Sequence, residues 1–212
     1  MKRTPSKILT IALLALAVAA TNLRADERLQ NGGFETGSFP PWTFTDNNPP
    51  PPFINVGGDS AFAHSGTYHA NLGSSPMTGT LSQTFQTVAG AMYTISFYLA
   101  NDGTPNPAMG SFNSFMTTFN GLAIAGISAL TNSAPFGYTL FTGTATATGA
   151  SSTLQFTFQN DADFFRLDDV SVNGPAPAGV PDQGSTFWLA LPAVGALVLS
   201  QRLGRKTRSV TA

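Results

Sequence analysis

The side chains best suited to chemistry in this chain are its carboxylates. Eleven Asp and Glu stand among 212 residues, and all of them fall between Asp26 and Asp182. Glu35, near the start of that stretch, and the pair Asp168-Asp169, near its end, are hard oxygen donors. Calcium takes this ligand type in a shell of about six to eight oxygens, so backbone and water must supply the remainder. Gly32 and Gly33, just before Glu35, let backbone carbonyls turn inward beside it. The plainer alternative is that Asp168 and Asp169 cap a strand or face water, as acidic pairs often do.

Other reactive sets are missing. With no cysteine, the sequence excludes disulfides, thiolate nucleophiles and cysteine-ligated metals. The two histidines, His64 and His69, have no Glu at metalloprotease spacing, and no Gly-x-Ser-x-Gly elbow occurs. Both are expected at exposed loop and strand positions. A glycosidase needs two carboxylates facing each other across roughly 5–10 Å, and no acidic pair is marked out for that by its setting. The chain is therefore expected not to be an enzyme.

Strands must position these groups. Tyr93, Ile95, Phe97 and Leu99 alternate with Thr94, Ser96, Tyr98 and Ala100, and Leu154, Phe156 and Phe158 alternate with Thr153, Gln155 and Thr157. That period of two predicts half-buried strands. Weaker signals mark 53–56, 68–72, 80–85, 112–119, 138–148 and 164–172, rich in Thr, Phe, Tyr or Val and separated by Gly, Asn, Pro or Ser. No helical stripe occurs between Asp26 and Pro181. The fold class read from this pattern is all-β, an antiparallel sandwich or jelly roll over residues 26–173. Pro49 to Pro52 reads as a stiff surface loop. Tyr98 and Tyr138, which keep a polar tip, are the residues expected on a ligand face, whereas Trp42 and most phenylalanines belong to the core.

Charge is segregated along the chain. Only Arg28 and Arg166, of ten basic residues, lie between Asp26 and Asp182; two against eleven gives that stretch a formal −9. Such a surface repels phosphate, so nucleic acid is excluded as a partner. The other basic residues flank it. Lys2, Arg3 and Lys7 precede an uncharged run from Ile8 to Ala20, and Leu23-Arg24-Ala25 follows, which predicts a signal peptide over 1–25. At the other end, a Pro/Gly/Ala linker over 174–179 leads to Val180-Pro181-Asp182-Gln183-Gly184-Ser185-Thr186. An apolar run then predicts a transmembrane helix over about 187–203, with Arg202, Arg205, Lys206 and Arg208 in a basic tail up to 208.

This C-terminal arrangement resembles the VPDSG class of PEP-CTERM-like sorting signals, with Gln183 where that class usually has Ser or Thr. The resemblance implies that Val180, Pro181, Asp182, Gly184, Ser185 and Thr186 are read by an exosortase-like membrane peptidase. It also implies membrane contact through the C-terminal helix before processing, then release to the cell envelope surface or extracellular matrix.

Two segments bracket the body: Leu29-Gln30-Asn31-Gly32-Gly33-Phe34-Glu35-Thr36-Gly37 and Phe165-Arg166-Leu167-Asp168-Asp169-Val170-Ser171-Val172. With His64-Ser65-Gly66-Thr67-Tyr68-His69-Ala70-Asn71-Leu72 between them, they resemble the galactose-binding-like jelly rolls common among bacterial carbohydrate-binding modules. That resemblance implies that the two ends lie together and that Trp42 is interior. It further implies a structural calcium on Glu35 and Asp168, with Asp168 favoured over Asp169. The expected function is a non-catalytic, exopolysaccharide-associated surface or matrix protein. The alternative is a carbohydrate-binding module that recognises a polysaccharide through a sheet face or loops.

Overall fold

The computed structural model describes residues 25–48, 53–161 and 163–177. The expected signal peptide up to residue 24, the four-proline run, and the sorting motif, helix and basic tail of 180–208 lie outside the described residues.

Twelve strands follow in chain order: β1 Ala25–Glu27, β2 Thr43–Asp46, β3 Ile54–Gly58, β4 Tyr68–Leu72, β5 Gly79–Gln86, β6 Met92–Asn101, β7 Asn113–Phe119, β8 Leu122–Ala123, β9 Leu130–Thr131, β10 Phe136–Thr146, β11 Ser151–Asn160 and β12 Phe165–Pro175. A single 3-10 turn, Pro107–Met109, is the only helical element among the described residues. The strands form two antiparallel sheets. The first runs β10-β6-β12-β4-β3, with β1 also on β12; the second runs β2-β5-β11-β7-β8, with β9 also on β7. The all-β sandwich read from the sequence is the observed architecture.

The alternation builds the core directly. Along β6, Tyr93, Ile95, Phe97 and Leu99 are fully buried, as are Leu154, Phe156 and Phe158 along β11. Phe97 meets Phe156 edge-on at 5.2 Å, and Phe115 meets Phe165 at 5.3 Å, so rings from both sheets interlock. Truncating one such ring to Ala costs about 3–5 kcal/mol. Trp42 is 3% exposed, packs on Phe156 and donates its indole N–H to the Asn31 carbonyl at 3.0 Å.

The ends of the domain meet as the resemblance implied. Val170 N–H donates to the Gly32 carbonyl at 3.0 Å, and a Cβ on Gly32 would sit 1.9 Å from the Val170 oxygen. Only glycine admits that approach. The structure differs from the expected linker at one end: β12 continues through Gly174 and Pro175, which pair with Asp26 and Ala25 of β1. Two prolines suggested a tether, but Pro175 sits at the last position of its strand and its carbonyl accepts the Tyr93 hydroxyl. The short strands β1, β2, β8 and β9 were not read from the sequence, because two to four residues show no period.

Candidate functional site

Asp168 and Asp169 sit where β12 is irregular: the register with β6 shifts between Asp168 and Ser171, and Asp169 has φ 48. This bulge turns the two carboxylates to different partners. Asp168 is fully buried; its Oδ2 accepts the backbone N–H of His64 at 2.9 Å and of Ser65 at 3.2 Å. Asp169 accepts the Ser65 hydroxyl at 2.7 Å and faces His64 Nδ1 at 2.6 Å. Glu35 accepts the N–H groups of Thr67 and Tyr68, each at 3.0 Å. Gly66, just before them, has φ 63, and a Cβ there would lie 2.3 Å from Glu35 Oε1. Three acids thus pin one loop, residues 59–67, between β3 and β4.

Burial is the main force on the Asp168 carboxyl and raises it to about 6; the N–H groups of Ser65, Asp169 and His64 oppose that rise, and the Asp169 charge adds to it.

The loop lies against the outer face of the first sheet. The His64 ring stacks on Tyr98 with centroids 3.5 Å apart and planes 15° apart, and meets Tyr138 edge-on at 5.3 Å. Tyr98 pairs with Leu140 in register, so Tyr98 and Tyr138 share one face on adjacent strands. The Tyr138 hydroxyl donates to the Phe62 carbonyl at 2.9 Å, and burial, reinforced by the Asp168 charge, pushes that phenol up. Arg166 also donates to the Phe62 carbonyl, at 3.2 Å, and pairs with Asp102 at 2.6 Å. Its guanidinium lies 5.3 Å from the Phe62 ring centroid and 5.6 Å from that of Tyr138. Phe62 itself is 52% exposed.

The same face continues towards β3. Arg166 pairs with Asn71, and Asn71 with Asn55. The Asn71 amide donates to Asn55 Oδ1 at 3.0 Å, while its own oxygen lies 3.0 Å from His69 Nε2. Expected at an exposed position, His69 is instead 3% exposed. Strand alternation turns it onto the outer face beside Asn71 and Gly57, and burial lowers its basicity, which keeps the ring neutral.

Calcium was expected to draw Glu35, Asp168 and Asp169 together. In the structure Asp169 Oδ1 and Asp168 Oδ1 stand 3.4 and 3.8 Å from the place a Gly33 Cβ would fill, so two carboxylates share a small cradle. Glu35 turns its oxygens away, to the loop amides. No group of three or more acidic or imidazole side chains arranged to hold a metal occurs among the described residues.

Sequence reasoning singled out Tyr98, Tyr138, Asp168, Asp169 and Glu35, and the structure gathers all five around one loop. It missed Phe62, Arg166, Asn71 and Asn55. Their signal was present in outline: Arg166 is one of two cations in an acidic domain, on a strand flanked by apolar residues.

No protein-family model and no curated protein matches the sequence. Solved structures do resemble the fold. The tandem CBM22-1-CBM22-2 domain of Paenibacillus barcinonensis Xyn10C matches with a TM-score of 0.54 and 15% identity over 76% of this chain and 50% of that one. The Stig cyclase Fisc from Fischerella sp. TAU matches at 0.51 and 18%, over 72% and 99%. TmCBM61, solved with β-1,4-galactotriose, matches at 0.48 and 19%, over 69% and 97%. The fold is thus one shared by carbohydrate-binding modules and by at least one cyclase.

Proposed function

We propose that this domain is a non-catalytic carbohydrate-binding module that takes a polysaccharide on the outer face of its first sheet. The observation that carries this reading is the group Tyr138, Arg166, Asn71 and Asn55 on one face of the sheet, with Tyr98 one row from Arg166, rimmed by the exposed ring of Phe62. Aromatic rings can lie against the apolar face of a pyranose, while guanidinium and amide groups hydrogen-bond its hydroxyls. Tyr98 is already covered by His64, so its part is to position the loop; Phe62 and Tyr138 present the surface. The likeness of fold to a tandem of carbohydrate-binding modules favours this reading over a purely structural matrix role.

Affinity electrophoresis of the full-length protein through gels holding soluble xylan or galactan tests it. Retardation that Phe62→Ala and Tyr138→Ala each reduce supports the site. Free migration in both gels, with no shift on either variant, overturns it for these two polymers.

Two further parts of the reading rest on sequence. Export and display follow from the ends of the chain: a secretory leader, then a motif read by an exosortase-like membrane peptidase, leaving the domain at the envelope surface or in the extracellular matrix. Calcium would be a structural ion beside Gly33, held by Asp168 and Asp169 with backbone and water oxygens. Its effect would be to neutralise two crowded carboxylates rather than to touch the sugar.

A further inference from the structure

Arg28 and Arg166 are the only Arg or Lys between Asp26 and Asp182, and the structure uses them differently. Arg166 is tied to Asp102 at 2.6 Å and to the Phe62 carbonyl at 3.2 Å. Arg28 has no acidic side chain within ion-pair reach among the described residues, and its Nε–H, enclosed by protein, meets no acceptor there. Glu27, its neighbour in sequence, accepts instead the backbone N–H groups of Leu29 and Val172, at 2.8 and 3.0 Å. A shielded donor without an acceptor is a cost to the fold, and this one arises in a stretch where acids outnumber the two arginines eleven to two.

The sheet edge beside it sets this guanidinium in a pocket. β2 pairs with β5 from Gly79 to Ser82 and goes no further, so no strand covers that edge of β5 from Gln83 to Gln86. The segment after β1 crosses the gap. Gln83, which is buried, accepts the Gln30 N–H through Oε1 and donates from Nε2 to the Gln30 carbonyl, both at 2.9 Å. Between segment and edge lies a hollow of about 300 Å³, whose walls include Arg28, Gln30, Pro41, Gln83, Thr84 and Gln86. Gln83 is clasped from both ends, and the Thr84 hydroxyl is fixed on that of Thr153 at 2.8 Å, so part of the wall is ordered in advance. Gln30 and Gln86 are exposed, and no hydrogen bond ties their side-chain amides among the described residues.

We infer that this pocket is a second binding site, and that it takes one carboxylate-bearing sugar, a uronate unit of a polysaccharide. A guanidinium is a planar fork that grips a carboxylate through two parallel bonds. The amides and the hydroxyl around Arg28 suit the ring hydroxyls of a sugar, as donors and as acceptors. The volume stands at the lower end for ligand pockets, which fits one ring rather than a chain. Charge selects among anions: one unpaired cation balances one carboxylate, whereas a doubly charged phosphate would keep an excess charge against a domain of formal −9. The carboxylate follows from Arg28 itself; that a sugar carries it rests on the reading of the domain as polysaccharide-binding.

The test is NMR titration of the full-length protein, read at the Arg28 Nε–H and at the side-chain amides of Gln30 and Gln86. The ligands are D-glucuronate and D-galacturonate, their neutral counterparts D-glucose and D-galactose, and acetate and inorganic phosphate as plain anions. The variants are Arg28→Gln, Gln86→Ala at an exposed position where the fold is not in question, and Tyr138→Ala as the first-sheet control. Expected are saturable shifts with at least one uronate, weakened by salt, and affinity lower by roughly tenfold or more for the matching neutral sugar. Those shifts should be lost in Arg28→Gln, weakened in Gln86→Ala and kept in Tyr138→Ala. The inference is overturned by the absence of saturable shifts with either uronate, or by equal affinity for uronate and neutral sugar. It is overturned equally by unchanged uronate affinity in Arg28→Gln or, should that variant not fold, in Gln86→Ala. Acetate or phosphate bound as tightly as the uronates overturns the assignment to a sugar. Shifts at Phe62, Tyr138 and Asn71 report the first-sheet site separately, so either site can fail without the other.

Discussion

Asp168 holds His64 from 104 residues away. Its Oδ2 accepts the His64 backbone N–H at 2.9 Å, and together with the Asp169 carboxylate at His64 Nδ1 it places the imidazole on Tyr98. Because Asp168 is fully buried, the contact is shielded from water and from salt. The last strand of the domain thereby sets the shape of a loop that begins only a third of the way along the chain.

Replacing Asp168 by Ala should free that loop. Three amides, those of His64, Ser65 and Asp169, lose their acceptor, and about 1–3 kcal/mol of stability should go with it. Hydrogen exchange at the amides of His64 and Ser65 should quicken well before that of the β6 core. Unchanged protection at those two amides would show that the loop is held by something else.

The pH dependence of stability should carry the mark of the same carboxyl. Burial raises Asp168 from the ordinary 3.8 to about 6, so between these values the native state keeps a proton that the unfolded chain has lost. Its contribution is present in full below pH 3.8 and is lost as the pH rises through about 6. Neutral, buried His69 acts in the opposite sense, since its lowered basicity costs stability as the pH falls through the ordinary histidine range. Chemical denaturation of the protein and of Asp168→Asn, in chelator across pH 4 to 8, isolates the aspartate by difference. Stability of the parent that falls relative to Asp168→Asn as the pH rises towards and through about 6 agrees; a difference that stays flat or moves the other way does not.

Gly32→Ala should be among the most damaging small substitutions. The added Cβ would meet the Val170 carbonyl oxygen at 1.9 Å, and backbone cannot give way as a side chain can. A loss of about 3 kcal/mol or more is expected, at the top of the range for overpacked sites. Thermal unfolding of the variant measures it. A midpoint within a few degrees of the parent would mean that the two ends of the domain can part without cost.

Calcium gives a separate readout. If an ion binds native protein beside Gly33, a concentration a hundredfold above its dissociation constant should add about 2.7 kcal/mol, and chelator should remove it. Asp169→Ala should abolish the gain. A midpoint indifferent to calcium in the unmodified protein removes the ion from the account.

The architecture was legible in the sequence because strong alternation at Tyr93–Ala100 and Thr153–Phe158 marks the two central strands, and long partners such as β5, β10 and β12 carry the same period more faintly. Strands of two to four residues were not, since they are fixed by neighbours rather than by pattern. The site was legible in part. Acids at both ends of the domain drew notice as metal ligands, yet their observed partners are backbone amides of a loop, which no spacing rule encodes. His69 was misplaced for a related reason: it lies on the solvent side of its strand by parity, and tertiary neighbours that no strand pattern encodes bury it.

The most direct test of the account is to map sugar contact by amide chemical-shift changes in the full-length protein, titrated with xylohexaose and with β-1,4-galactotriose. The account predicts saturable shifts, with one of these sugars, that cluster at Phe62, Tyr138, Arg166, Asn71 and Asn55 and are lost in Arg166→Ala. Saturable shifts confined to another part of the surface, or none with either sugar, would contradict the first-sheet site for these ligands.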